Sequence, residues 1–195
     1  MRHLVIMAKK PVAGGVKSRL GKDIGYGRAV GVYRHLMSST IRCLSTDTRW
    51  HTSLAIAPDN ALSDQIWPAH TDRFGQGTGD IGARMQAIFN TAPPGPVIII
   101  GTDIPHISRQ DIADAFKKLG HCDVVFGPAG DGGFWLVGAQ QSPRVEQIFS
   151  NVRWSGPHAL KDCQQNVGHL KIGYANKRFD IDTIEDLKRW KQLKG

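Results

Sequence analysis

The strongest constraint on the fold is a regular alternation of short apolar, β-branched runs with longer amphipathic segments. Short continuous apolar runs are typical of strands buried in a sheet, and apolar residues at helical spacing indicate helices that cover it. The alternation predicts a three-layer α/β fold with a mostly parallel central sheet, formed by a single domain over residues 1–195. The predicted strands are 4–8, 53–57, 97–100, 123–126, 134–137 and 170–174, and the predicted helices are 26–44, 81–89, 108–119, one from residue 155 and one from residue 183.

Two of these helices carry start signals in the sequence. Ser108 is followed three residues later by Asp111, and Thr183 is followed at the same spacing by Asp186. A hydroxyl at the N-cap with an acid three residues on is typical of a capping box, which satisfies backbone N–H groups at a helix start. The run 97–100, VIII, is the most hydrophobic of the strands, so we predict that it is central.

Composition excludes several classes of protein. The 195 residues are 41% hydrophobic and 22% charged, values that argue against disorder and fibres. The three cysteines, Cys43, Cys122 and Cys163, lie far apart and form no CxxC pair, so neither a disulfide framework nor a structural zinc site is expected. No apolar run suits a signal peptide or a bilayer span, and we predict a cytoplasmic protein with no membrane partner.

The first candidate site is KKPVAGGVKSRL, at 9–20 after the opening strand. Gly14 and Gly15 allow a tight turn and a close approach of the backbone to a ligand. Lys9, Lys17 and Arg19 add positive charge beside it. Such a loop commonly binds phosphate, although the spacing matches neither a P-loop nor GxGxxG. A flexible basic loop without a ligand is the alternative interpretation.

The second candidate site is a pair of acids. Asp103 in GTDIP follows the predicted central strand, and Asp182 in DIDT precedes the last helix. Magnesium is usually held by one or two carboxylates together with substrate phosphates, so these two residues could share a metal ion. The alternatives are a turn carboxylate at 103 and an acid stabilised by a helix dipole at 182.

Two glycine-rich stretches form the third candidate site. QGTGDIGARM, at 76–85, contains Gly79 and Asp80, and GPAGDGGFWLVG, at 127–138, contains Asp131. Glycines beside acids suggest backbone packed closely against a ligand. Ordinary turns are a strong alternative for either stretch.

Six of these segments occur in the order typical of one bacterial family, and they span nearly the whole chain. The sequence resembles radical-SAM/selenodomain-associated transferase 1, a glycosyltransferase-like family of the nucleotide-diphospho-sugar transferase superfamily. More distantly it is similar to phospholactate guanylyltransferase, molybdopterin guanylyltransferase and the cytidylyltransferase that activates Kdo. The segments are AKKPVAGGVKSRL, QGTGDIGARM, GTDIP, GPAGDGGFWLVG, WSGPHAL and DIDTIEDL.

The resemblance implies a Rossmann-like fold of the glycosyltransferase-A type and a role for each candidate residue. Asp103 and Asp182 would bind Mg²⁺ or Mn²⁺, and Asp131 would lie on the acceptor side. Lys17 and Arg19 would contact phosphate and, with Asp131, form the catalytic set. The predicted nucleotide- and phosphate-binding residues are Lys9, Gly14, Gly15, Lys17, Arg19, Gly79 and Asp80.

The expected activity is therefore a magnesium-dependent transfer from a nucleotide-activated donor to a small-molecule acceptor. The donor is a nucleoside triphosphate in nucleotidyl transfer or a nucleotide-sugar in glycosyl transfer, and the sequence leaves both open. Phe134, Gly156, Ile104 and His106 depart from the family pattern. All of these departures lie near the expected acceptor, so the acceptor is the least defined substrate.

Two other classes of function compete with this interpretation. The net charge of +8, from 25 basic and 17 acidic residues, would suit a nucleic-acid-binding module. However, the basic residues are scattered and no motif for DNA or RNA accompanies them. A catalytically inactive nucleotide-binding domain is the other alternative, and the complete set of Lys17, Arg19, Asp103 and Asp182 argues against it.

Overall fold

A computed structural model describes residues 1–193 as a seven-stranded sheet with helices on both faces. The strand order is β3-β2-β1-β4-β6-β5-β7, and β6 runs antiparallel to both of its neighbours, β4 and β5. The strands are β1 (His3–Lys9), β2 (His51–Ala57), β3 (Asp72–Gly75), β4 (Val97–Ile100), β5 (Val124–Pro128), β6 (Phe134–Ala139) and β7 (Ile172–Tyr174). The helices are α1 (Ser18–Ile24), α2 (Tyr26–Leu44), α3 (Ile81–Thr91), α4 (Arg109–Leu119), α5 (Ala159–Asn166) and α6 (Ile184–Gln192).

The predicted three-layer fold with a mostly parallel sheet is confirmed. Strand β4 is the fourth of seven, so the most hydrophobic run of the sequence is central, and all four of its residues are buried. Strand β1 pairs in parallel with both β2 and β4, with Ile6 opposite Leu54 on one side and Ile100 on the other. The carboxyl ends of β1 and β4 therefore lie side by side at one edge of the sheet.

Alternation along the strands divides the core between the two faces of the sheet. Leu4 and Ile6 of β1 pack into one hydrophobic cluster with Phe116 of α4. Val5, which points to the opposite face, packs into a second cluster with Phe89 of α3. Full burial of one such side chain contributes about 1.5–3 kcal/mol to stability. Because α4 and α3 supply packing partners on opposite faces, burial against the helices stabilises both sides of the sheet.

The two helix N-caps that the sequence predicts are confirmed. Both Ser108 and Thr183 accept a hydrogen bond from the backbone N–H three residues on. The side chains of Asp111 and Asp186 in turn accept hydrogen bonds from the backbone N–H groups of Ser108 and Thr183, which completes the two capping boxes. The predicted helices 108–119 and from 183 thus correspond to α4 and α6.

Other boundaries differ from the prediction. The helix expected from Ser155 begins instead at Ala159, because Ser155 has a φ of 62° and lies in a turn that a right-handed helix cannot contain. The short helix α1 and the edge strand β3 were not predicted. Strand β3 has only four residues and none is fully buried, so it carries no clear apolar pattern. No helix within residues 1–193 is long and apolar enough to cross a membrane.

Candidate functional site

A cavity of about 530 Å³ opens at the carboxyl edge of the sheet, beside the ends of β1 and β4. Its volume lies within the range of small-molecule binding sites, roughly 300–1,000 Å³. Five of the predicted site residues line this cavity, and they come from three separate segments of the chain: Lys9, Gly15 and Lys17 from the end of β1 and the loop that follows it, Asp103, and Asp131. Asp182 is not one of the lining residues and reaches the site through its contact with Lys17. The fold therefore collects into one cleft residues that are up to 122 positions apart (131 − 9).

The centre of the polar side is an ion cluster around Lys17. Its Nζ lies 2.8 Å from Oδ2 of Asp103 and 2.7 Å from Oδ1 of Asp182. The lysine side chain is only 2% exposed, whereas the side chains of Asp103 and Asp182 are 42% and 37% exposed. The two acids predicted to share a metal ion are thus brought together, and each retains a surface that a ligand can reach.

The C-terminal segment carries Asp182 across the sheet to this point. After β7, the backbone N–H of Arg178 donates to the carbonyl oxygen of Pro128 at the end of β5. Three residues later the N–H of Ile181 donates to the carbonyl oxygen of Asp103, and the side chain of Ile181 is fully buried. Asp182 is therefore positioned by backbone hydrogen bonds to the neighbouring loops and not only by its salt bridge.

The loop after β1 places Lys17 through two unusual backbone conformations. Gly14 has a φ of 76°, and the N–H of Gly15 closes the turn by donating to the carbonyl oxygen of Val12. Lys17 itself adopts the left-handed conformation, with a φ of 49°, immediately before α1. A lysine in this region carries roughly 1 kcal/mol or more of strain, and such strain is concentrated at functional sites.

Electrostatics in the cluster follow from burial and opposite charge. Burial alone would lower the pKa of Lys17, but the charges of Asp103 and Asp182 outweigh it and raise that pKa. Burial would raise the pKa of Asp182, and Lys17 and then Arg19 lower it instead. Neighbouring Asp180 has a pKa raised to about 6, because it is buried and faces the charge of Asp182. Carboxylates therefore exceed cations at this end of the cleft.

The remaining predicted residues lie in different positions relative to the cavity. Arg19 is exposed on the first turn of α1 and is close enough to lower the pKa of Asp182, but it does not line the cavity. Neither Gly14 nor Gly79 lines it. Asp80 is the N-cap of α3 and accepts a hydrogen bond from the N–H of Ala83. The structure thus gives Asp80 a local role in starting a helix.

Asp131 lines the cavity and lies close enough to Asp180 for its charge to help raise the pKa of that carboxyl. The exposed carboxylate of Asp131 accepts a hydrogen bond from the N–H of Gly133 in the turn between β5 and β6. Gly132 in this turn has a φ of 89°, and a Cβ there would lie 2.5 Å from the carbonyl oxygen of Pro157. Glycine is therefore required where this turn meets the segment that leads into α5.

Several polar residues of the cavity wall were not identified from the sequence, among them Tyr33, Gln76 and Arg84. The hydroxyl of Tyr33 accepts from the N–H of Lys9 and lies 3.2 Å from the hydroxyl of Thr102, so it ties the end of β1 to the loop after β4. The side-chain amide of Gln76 donates to the carbonyl oxygens of Ala8 and Ala55. Tyr33 lies at helical spacing within the predicted helix 26–44, a pattern that indicates a core residue and gives no signal of a cavity residue.

The acid pair satisfies the chemistry of a divalent cation. Lys17 contacts one oxygen of each carboxylate, so both acids remain accessible as oxygen ligands. Within residues 1–193, no three His, Cys, Asp or Glu side chains form a group that could hold a metal ion unaided. The remaining ligands of a cation at Asp103 and Asp182 would then be phosphate oxygens and water, as is usual for magnesium.

Comparison with known families identifies the chain. Residues 40–156 match the family described as "Uncharacterized protein conserved in bacteria (DUF2064)", and the protein belongs to that family. This region includes β4, Asp103 and Asp131, and it excludes Lys17 and Asp182. No curated protein matches the sequence significantly.

Solved structures share the fold over almost the whole chain. A proposed nucleotide-diphospho-sugar transferase from Desulfovibrio desulfuricans G20 is 24% identical, with a TM-score of 0.90, over 98% of this chain and 87% of that one. The 4-diphosphocytidyl-2C-methyl-D-erythritol synthase of Anaerococcus prevotii DSM 20548 is 10% identical, with a TM-score of 0.64, over 100% and 96%. A manganese complex of Rv0371c from Mycobacterium tuberculosis H37Rv is 13% identical, with a TM-score of 0.56, over 96% of each chain.

Proposed function

From the fold shared with solved transferases and the ion cluster in the cleft, we propose that this protein is a magnesium-dependent transferase. It uses a nucleotide-activated donor and transfers a nucleotidyl or glycosyl group to a small acceptor. The observation that carries the proposal is the convergence of Asp103, Asp182 and Lys17 at the carboxyl end of the central strand. The motifs that resemble radical-SAM/selenodomain-associated transferase 1 support the same class, and Mn²⁺ could replace Mg²⁺.

In this proposal Lys17 is the residue that responds to the donor. Without a ligand its ammonium pairs with both carboxylates and offsets part of their charge. With a cation bound at Asp103 and Asp182, the ammonium would become available to a phosphate group. When bound, the cation would neutralise charge on the phosphate oxygens. Lys9 lines the same cavity, and exposed Arg19 adds positive charge at the start of α1. Lys10 does not contribute, because its Nζ lies 2.8 Å from a carboxylate oxygen of Asp64.

The step itself needs positioning more than covalent chemistry from the protein. In nucleotidyl transfer, an acceptor oxygen forms a bond to the α-phosphorus and the bond to pyrophosphate breaks. In glycosyl transfer, the acceptor attacks the sugar carbon and a nucleoside diphosphate leaves. In both, Lys17 stabilises negative charge on the leaving phosphate. The Asp131 carboxylate, which lines the same cavity, would take a proton from an acceptor hydroxyl.

Calorimetric titration tests the proposal. The ligands are the common ribonucleoside triphosphates, the matching diphosphates, UDP-glucose and GDP-mannose, each with magnesium and with excess chelator. We expect at least one to bind in magnesium and to lose about tenfold or more in affinity without it, because phosphate charge is then left uncompensated. Tighter binding of a triphosphate than of its diphosphate would favour nucleotidyl transfer, and tighter binding of a nucleotide-sugar would favour glycosyl transfer.

Two variants separate the site from a general effect of charge. Asp103→Asn removes one proposed metal ligand and should abolish the magnesium-dependent part of the affinity. Asp23→Asn is the matched control, because Asp23 is exposed on α1 and does not line the cavity. Wild-type protein that binds none of these nucleotides, or equal affinities in both variants, would contradict the proposed function.

A further inference from the structure

The cavity has a second wall that differs in character from the ion cluster. On the β6 side it is lined by side chains with large apolar surfaces, and these come from the first turns of α3, the start of β6 and the segment before α5. Ile81 of α3 is 41% exposed although it is a large aliphatic residue. The other apolar members of this wall are Met85, Phe134 and Trp154. Apolar surface held open in a cleft favours a ligand with apolar surface of its own.

An aromatic cluster fixes this wall in place. The rings of Phe134 and Trp154 meet edge to face with centroids 6.3 Å apart, and both rings contact Phe149 behind them. A Cβ on Gly82 would lie 2.5 Å from the indole of Trp154, so α3 packs directly against that ring. The glycine at 82 therefore allows the helix that carries Ile81 and Met85 to close on the aromatic cluster. The wall is packed before any ligand arrives.

A single cation stands beside this apolar surface. Arg84 lines the cavity, is half-buried, and its Nε donates to the carbonyl oxygen of Gly79 at 3.0 Å. This bond fixes the direction of the side chain. Within residues 1–193, no carboxylate forms a salt bridge with its guanidinium. Arg178, another half-buried arginine, is by contrast paired with Asp111. Arg84 thus offers uncompensated positive charge at the edge of an apolar wall.

We propose that the acceptor is a small molecule that combines a flat hydrocarbon ring with an anionic group and a nucleophilic oxygen. This inference rests on the proposed function and concerns the acceptor half of the same cavity. The ring would lie against Phe134 and Trp154, and the carboxylate or phosphate would bind Arg84. The nucleophilic oxygen would point towards Asp131 and Lys17, where it forms the new bond to the donor. The bond to the leaving phosphate breaks, and the proton of a hydroxyl passes to Asp131.

A polyhydroxylated acceptor would fit this wall less well. Each buried hydroxyl needs a hydrogen-bond partner, or the free energy of binding is reduced by its desolvation. On this side of the cavity the polar side chains that could serve are Arg84, Ser155 and Asp131, and the rest of the lining is apolar or glycine. One charged group and one hydroxyl can be satisfied by this set. A sugar ring with several hydroxyls would leave some of them unpaired.

The test uses 4-hydroxyphenylacetate, which carries a ring, a carboxylate and a hydroxyl in one small molecule. Comparison ligands each lack one feature: 2-(4-hydroxyphenyl)ethanol has no charge, glycerate has no ring, and glucose 6-phosphate replaces the ring with a polyol. Ligand-observed NMR titration gives the four dissociation constants. We expect 4-hydroxyphenylacetate to bind about tenfold or more tightly than each of the others, because both the ring and the charge contribute.

Two variants localise the binding. Arg84→Met keeps length and apolar volume but removes the charge, and we expect about tenfold weaker binding of 4-hydroxyphenylacetate. Ile81→Asp places a negative charge on the wall at an exposed first-turn position, where an acid is compatible with the helix. It should weaken binding to a similar degree. Arg34→Met, on the exposed surface of α2, is the matched control and should bind as the wild type does.

The outcomes distinguish this inference from the proposed function. If 4-hydroxyphenylacetate does not bind, if it binds equally in Arg84→Met and wild type, or if glucose 6-phosphate binds more tightly, the acceptor inference is wrong. Magnesium-dependent binding of a nucleotide to the wild type is measured separately, so the transferase proposal can survive any of those results. Thermal unfolding of each variant confirms that a change in affinity does not come from loss of the fold.

Discussion

Two ion clusters connect distant parts of this chain, and they are built for different tasks. In the Asp111 cluster, one carboxylate oxygen accepts from the N–H and hydroxyl of Ser108, and the other accepts from Arg178 at 2.6 Å. In the Lys17 cluster, one buried ammonium is shared by two half-exposed carboxylates. The first cluster is closed, with the carboxylate side chain 8% exposed, and the second is open on its acidic side.

The difference in exposure of the carboxylates distinguishes an ion cluster that supports folding from one that supports binding. A carboxylate whose two oxygens are both satisfied has little left to offer a ligand, and its value lies in capping α4 and joining it to the segment after β7. Carboxylates that share one ammonium and remain 42% and 37% exposed can still be reached by a ligand. Breaking the Asp111 cluster should therefore reduce stability, and breaking the Lys17 cluster should reduce ligand affinity.

The largest expected effect is on donor binding by Lys17→Met. The change removes the cation at the centre of the open cluster, and the affinity for a magnesium-bound triphosphate should fall by about 10- to 100-fold. Calorimetry measures the loss. Lys22→Met, in the last turn of α1 and exposed, is the control and should retain wild-type affinity. Equal affinity in the two variants would mean that the open cluster does not bind the donor.

The next effect is on stability, and Asp111→Ala should show it. The variant loses the capping box of α4 and leaves the half-buried Arg178 unpaired, so the free energy of unfolding should fall by about 2–3 kcal/mol. Urea denaturation measures the change. Asp114→Ala, on the same helix, removes only a hydrogen bond from Gln110 and should change stability by about 0.5 kcal/mol or less. Similar losses in both variants would contradict a special role for the closed cluster.

A smaller effect should appear on acidification. Burial would raise the pKa of Asp111, but hydrogen bonds from Arg178 and Ser108 outweigh it and lower that pKa below 3.8. The unfolded chain then binds a proton at higher pH than the folded chain, so stability is present above pH 3.8 and is lost as the pH falls through the lower folded value. In urea titrations, the free energy of unfolding of Asp111→Asn should fall less than that of the wild type as the pH is lowered from about 5 to about 2. Parallel curves would show that Asp111 does not contribute.

The smallest effect is expected at the edge of the open cluster. Arg19 is exposed, so Arg19→Lys retains the charge and loses only the planar fork that can contact two phosphate oxygens. Donor affinity should fall by about threefold, measured by the same calorimetry as for Lys17→Met. A loss as large as that of Lys17→Met would place Arg19 in direct contact with the phosphates.

Local patterns in the sequence were sufficient for most of the fold. The run VIII was predicted to be central because no other strand is as hydrophobic, and it is the fourth of seven strands. The capping boxes at Ser108 and Thr183 were predicted because a cap depends on residues only three positions apart. The start of α5 was predicted four residues early, since nothing local in WSGPHAL shows that the backbone at Ser155 is left-handed.

The candidate site, like the fold, has features that the sequence predicts and features that only the tertiary structure shows. The sequence by itself determined which residues carry charge and glycine after each strand, and so it identified Lys17, Asp103, Asp131 and Asp182 as candidates. Only the tertiary structure decided that Lys17 lies between the two acids, and that Arg19 does not line the cavity. It also decided that Arg84 lies beside an aromatic wall with no salt bridge to any carboxylate of residues 1–193. The reason is physical: helix caps and strand burial depend on neighbours along the chain, whereas a salt bridge over 165 positions depends on the path of the whole backbone.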